Sequence, residues 1–168
     1  MKRAVAVVFA TALATTLLAL PAWSSGKAKV LEFDTMAPVD GVFVGTVNPV
    51  RGINGGGLPW QIDEAKGELT KDGRLEVEVE GLVLLEAAPV PPDRQGTNPI
   101  ATFRAIVSCL SEVDGALVTA NVVTDPFPAT PGGDAEIEAT VDLPSPCVAP
   151  IVFVGPSPTA WFAATGQG

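Results

Sequence analysis

The chain has 168 residues with 10 Lys+Arg against 19 Asp+Glu, a net charge of −9, and contains neither His nor Tyr. Without His, no Ser-His-Asp or Cys-His catalytic site can be built, nor a His-ligated zinc, copper or haem centre. The acidic balance argues against nucleic acid as a partner, because affinity for phosphate backbones rests on Lys and Arg releasing counterions.

The first element in chain order is an export signal. Lys2 and Arg3 precede an uncharged apolar run from Ala4 to Leu20, and Pro21-Ala22-Trp23-Ser24 follows. A basic start, an apolar stretch and small residues near a cut are the layout of a secretory signal peptide. Residues 1–24 are read as that peptide, cleaved before Ser25, with a cut after Ala22 as the alternative. The run falls short of the roughly 20 apolar residues of a spanning helix, and no later stretch reaches that length, so no membrane span is expected after cleavage. Residues 25–168 are then a single secreted β domain of 144 residues with a net charge of −11, since the leader carries two basic residues and no acid. Its expected place is outside the cell, or in the periplasm and envelope, of a bacterium whose Ala-, Val-, Gly- and Pro-rich composition suggests GC-rich coding.

Beyond the leader, period-two alternation recurs and helical periodicity is almost absent. Leu75, Val77 and Val79 alternate with Glu76, Glu78 and Glu80, which describes a strand with one dry and one wet face. Ala135, Ile137, Ala139 and Val141 alternate likewise with Glu136, Glu138, Thr140 and Asp142, and Phe103, Ala105, Val107 and Cys109 form a further dry row. Lys71-Asp72-Gly73 and Asp114-Gly115 are hairpin signals. Strands are placed at 28–34, 40–47, 60–69, 73–85, 101–111, 115–124, 134–143, 148–154 and 159–164. About nine strands with frequent Pro and Gly between them predict an all-β, antiparallel β-sandwich, with a closed β-barrel as the alternative. The strand at 148–154 is apolar on both faces, as a central strand would be, yet Pro150 fits there only at a bulge or an edge.

The stretch Gly67 to Leu84 resembles the repeat of chordin-type domains, secreted β domains with a leading strand, a short turn and an alternating strand ending in Gly-Leu. The histidine-containing segment that follows in that family is missing here, so no site residue is carried over.

Cys109 and Cys147 form an isolated pair, read as a structural disulfide of an oxidising compartment. Closing a loop of about 39 residues contributes about 4 kcal/mol in the chain-entropy model. The segment Arg51-Gly52-Ile53-Asn54-Gly55-Gly56-Gly57-Leu58-Pro59-Trp60 lacks the helix and the Lys-Ser/Thr that a phosphate loop requires. It is read as a long connection, with Arg51, Asn54 and Trp60 as candidate ligand contacts. Trp60 and Trp161 are also weighed as stacking platforms for sugar rings against the alternative of core packing. The acids Glu76, Glu78 and Glu80 on one face, and Asp134, Glu136 and Glu138 on another, are read as solvated strand faces.

No metal site, cofactor or catalytic residue is assigned. The functional expectation is a non-enzymatic binding or structural module, with a glycan or an envelope protein as its partner. The alternatives are a carboxylate-based hydrolase of extracellular glycan and a calcium-stabilised adhesion module.

Overall fold

The computed structural model describes residues 28–166, so the export signal at 1–24 lies outside the described residues. The strands in chain order are β1 (Lys29–Phe33), β2 (Met36–Pro38), β3 (Asn54–Gly55), β4 (Trp60–Gln61), β5 (Glu64–Thr70), β6 (Arg74–Glu80), β7 (Val83–Leu84), β8 (Thr102–Val113), β9 (Ala116–Val123), β10 (Phe127–Pro128), β11 (Ala135–Thr140), β12 (Val148–Gly155), β13 (Ala160–Trp161) and β14 (Ala163–Thr165). Among the described residues a single 3-10 turn covers Gly41–Phe43.

Two sheets carry the architecture. One has four strands in the order β1-β5-β6-β11; the other runs β10-β8-β12-β14-β2, with β9 also paired to β8. Every pairing within both sheets is antiparallel. Neither sheet closes on itself, so the barrel alternative is corrected: the protein is an open sandwich.

Alternation explains which faces meet. From the first sheet, Leu69, Leu75, Val77, Val79 and Ile137 are buried; from the second, Phe103, Ala105, Val107, Cys109, Val152 and Val154 are buried. These residues sit at alternate positions of paired strands, so each row presents one dry face to the facing sheet. Type I′ geometry makes the β8–β9 turn: Asp114 and Gly115 have φ of 51° and 78° between the paired residues Val113 and Ala116. Cys109 is joined to Cys147, tying the middle of β8 to the segment that enters β12.

Several expected strands differ in extent. Residues 40–47, read as a strand, form the 3-10 turn and bends instead, because Asp40 accepts a hydrogen bond from Gly41 N and glycines 41 and 45 take positive φ. The expected 60–69 and 73–85 strands each divide in two, at Ile62-Asp63 and at Gly81-Leu82. Pro150 falls where the β12–β8 register shifts between Val148 and Ile151, the bulge its missing N–H requires.

A third layer covers the far side of the second sheet. Phe153 and Ile106 are register partners on the face opposite to Val107 and Val152. Trp161 packs on Phe153 with ring centroids 5.8 Å apart, and Phe43 on Trp161 at 6.4 Å. The glycine-rich segment is threaded into this layer through the parallel pair β3–β13. Two of its glycines are required by contact. A Cβ on Gly55 would lie 1.8 Å from the Phe43 carbonyl oxygen, and one on Gly56 2.9 Å from the Phe162 ring.

Candidate functional site

The outer face of the four-stranded sheet gathers eight of the chain's 19 acids. Register places Glu32 opposite Glu68, Glu68 opposite Glu76, and Glu76 opposite Glu138. One row of glutamates thus crosses all four strands, with neighbours about 4.8 Å apart at the backbone. The next row runs Lys66–Glu78–Glu136, and the one beyond pairs Glu64 with Glu80. Like charges set directly opposite one another destabilise a sheet, so this face costs stability wherever no cation intervenes.

Three basic side chains partly offset that cost. Lys29 Nζ lies 2.8 Å from Glu32 and 2.7 Å from Glu68, Lys66 Nζ lies 2.8 Å from Glu78, and Arg74 contacts Glu76. The hydrogen bond that Lys29 donates to Glu32, followed by the one it donates to Glu68, holds its ammonium above the ordinary pKa, and donation to Glu78 does the same for Lys66. Among the described residues no ion pair reaches Glu64, Glu80, Glu136 or Glu138. The side chains border an open groove of about 580 Å³ lined by Glu32, Lys66, Glu68, Glu76, Glu78, Glu136 and Glu138, and a second of about 560 Å³ adjoins it at Asp63, Glu64 and Glu80.

The sequence shows these acids as alternating runs and places them on two faces. Pairing of β11 with β6 puts Glu136 beside Glu78 and Glu138 beside Glu76, so the two runs are one surface. Asp134 departs from it: its carboxylate accepts from Gly81 N at 3.1 Å and from the Thr130 hydroxyl at 2.9 Å. Glu32, Glu64 and Glu68 were missed, although Glu64-Ala65-Lys66-Gly67-Glu68 carries the same alternation. Among the described residues no group of three or more acids converges as metal ligands would.

The candidate contacts in the glycine-rich segment have separate surroundings. Trp60 is 3% exposed, stacked on Phe162 at 3.7 Å and edge-on to Phe103 at 6.4 Å, so its ring offers no face to a ligand in this structure. Trp161 is buried likewise, against Phe43 and Phe153. Asn54 pairs with Ala160, and its N–H donates to Thr159 O at 3.0 Å. Arg51, with φ of 53°, occupies the turn between Val50 and Ile53; its Nη2 donates to Ala149 O at 3.1 Å and its own carbonyl accepts from Asn121 Nδ2 at 3.2 Å. Arg51 therefore pins the third layer onto β9 and β12. The three residues share no hydrogen-bond or ring partner.

Comparison with protein-family models, curated proteins and solved structures finds no match to this chain.

Proposed function

We propose that the protein is a non-enzymatic binding module, exported to the cell envelope or the extracellular space, whose contact surface is the glutamate face of the β1-β5-β6-β11 sheet. The observation that supports this is the unbroken row Glu32–Glu68–Glu76–Glu138. Repulsion built into that row is relieved by a cationic partner, and charge complementarity then gives both attraction and orientation. The partner class is a positively charged protein or polymer of the envelope.

The hydrolase reading fits the same face less well. A general acid at neutral pH needs a carboxyl raised by burial, and a water-activating partner held at a fixed distance. Here Glu32 and Glu78 lie open to solvent and are engaged by Lys29 and Lys66.

The test is binding of the purified protein to cationic, neutral and anionic peptide and glycan arrays, run beside the double variant Glu76→Gln/Glu138→Gln. Retention on cationic spots, lost in the variant and in high salt, is expected. Equal binding by both proteins would remove the sheet face as the contact. The export reading is tested separately by mass spectrometry of the extracellular or periplasmic protein, whose first residue is expected to be Ser25. Melting with and without EDTA addresses calcium: an unchanged midpoint is expected, and a drop on chelation would restore the calcium-stabilised reading.

A further inference from the structure

A sheet edge presents unpaired N–H and C=O groups, and proteins blunt such edges with charge, proline or shortness. Four of the edges here follow that rule. β1 carries Lys29 and Glu32, β11 carries Glu136 and Glu138, and β2 has three residues ending in Pro38. β10 is also short and ends in Pro128. β9 does not follow it. The eight residues Ala116–Val123 contain no charge, no proline and no glycine, and Leu117 is 73% exposed.

The hairpin geometry says which groups are free. With Asp114-Gly115 as a two-residue turn, Val113 and Ala116 form the closing hydrogen-bonded pair, so Ala116, Val118, Ala120 and Val122 direct their backbone groups to β8. Leu117, Thr119, Asn121 and Val123 direct theirs away from the sheet. Among the described residues no hydrogen bond from another element reaches those four backbones.

The row is also a palindrome in chemical character. Antiparallel pairing of β9 with its own copy about Ala120 sets Leu117 against Val123, Val118 against Val122 and Thr119 against Asn121. Apolar residues meet apolar, polar meet polar, and the outward-directed residues fall opposite one another, which gives about eight backbone hydrogen bonds in four pairs. Such a contact is isologous and closes at two copies.

We infer that β9 is the seam of a homodimer in which the second sheet continues from one copy into the other. The inference stands apart from the glutamate face, which belongs to the other sheet. A two-fold axis normal to the joined sheet leaves both glutamate faces on one side, as a surface of double width. One strand pair is a small interface, so association is concentration-dependent.

The experiment is sedimentation velocity on the purified mature protein, beginning at Ser25, over a range of concentrations. A shift from monomer to dimer mass is expected. Thr119→Lys, with its far-UV circular dichroism unchanged, should weaken association by about tenfold or more by placing a charge on the edge. The register is read with T119C and N121C. Facing hydrogen-bonded residues lie about 5.5 Å apart at Cα, within disulfide range, whereas diagonal ones lie about 7–8 Å apart. Both positions are on the sheet face opposite Cys109, whose register partner is Ala120. Oxidation is expected to cross-link the mixture of the two variants and neither alone. A wild-type protein that stays monomeric at every concentration, or folded variants that fail to cross-link when mixed, would overturn the inference; so would a monomer whose β9 is held by the strand of a different protein.

Discussion

A single methyl group distinguishes two neighbouring glycines. A Cβ on Gly55 would meet the Phe43 carbonyl oxygen and the Val39 side chain, while one on Gly57 would meet nothing within 4 Å. Gly55→Ala is therefore expected to cost about 1–3 kcal/mol or more by overpacking, and Gly57→Ala to stay within about 0.5 kcal/mol of wild type, both read by urea denaturation. Trp60→Ala should lose about 3–5 kcal/mol, since it empties a core position against Phe103 and Phe162. Lys29 makes a prediction in pH. Its folded-state pKa is raised, first by the hydrogen bond to Glu32, so its contribution is complete below the ordinary lysine value of 10.5 and is lost as pH rises through the higher folded value. The melting-point gap between wild type and Lys29→Met should be small, flat from about pH 6 to 9, and should close only in stronger alkali. A gap that varied between pH 6 and 9 would contradict this assignment.

At the scale of strands, the glutamate row makes a stability prediction of unusual sign. Glu138→Lys places a cation beside Glu76 in β6 and should raise stability by about 0.2–1 kcal/mol at low salt. The gain should fade at high ionic strength, where surface charges are screened. A variant less stable than wild type at low salt would show that repulsion in the row is negligible. These strands were also the most legible part of the chain. Alternation in β6 and β11 and the Lys71-Asp72-Gly73 turn predict themselves from local sequence, because a half-wet sheet writes its period into the side chains. The register of β11 on β6 is different: which glutamate of one faces which of the other depends on pairing between segments some 60 residues apart, and nothing local encodes it. The third layer was hidden for a related reason. Val42, Phe43 and Val44 look like strand, but glycines 41 and 45 bend the chain so that Phe43 reaches Trp161. Trp60 was ambiguous between core and surface because a tryptophan serves either place, and Phe162, on which it stacks, lies a hundred residues away.

For the molecule as a whole, the sandwich was readable from composition and turns, and the Cys109–Cys147 bond from cysteine count and context. Closing a loop of sequence separation 38 predicts that the double variant Cys109→Ala/Cys147→Ala loses about 2–4 kcal/mol in urea denaturation. A loss under about 1 kcal/mol would mean that the sheets alone hold the segment entering β12. Strand order was not readable, since it joins the chain's two ends. β14 (Ala163–Thr165) sits between β12 and β2, pairing Met36 with Thr165 and Ala37 with Ala164. This arrangement has a consequence in time. The second sheet cannot join β14 to β2 until the segments around residues 36 and 165 meet, and contacts of such long separation form slowly. The early segments wait, unsealed, for the final ones.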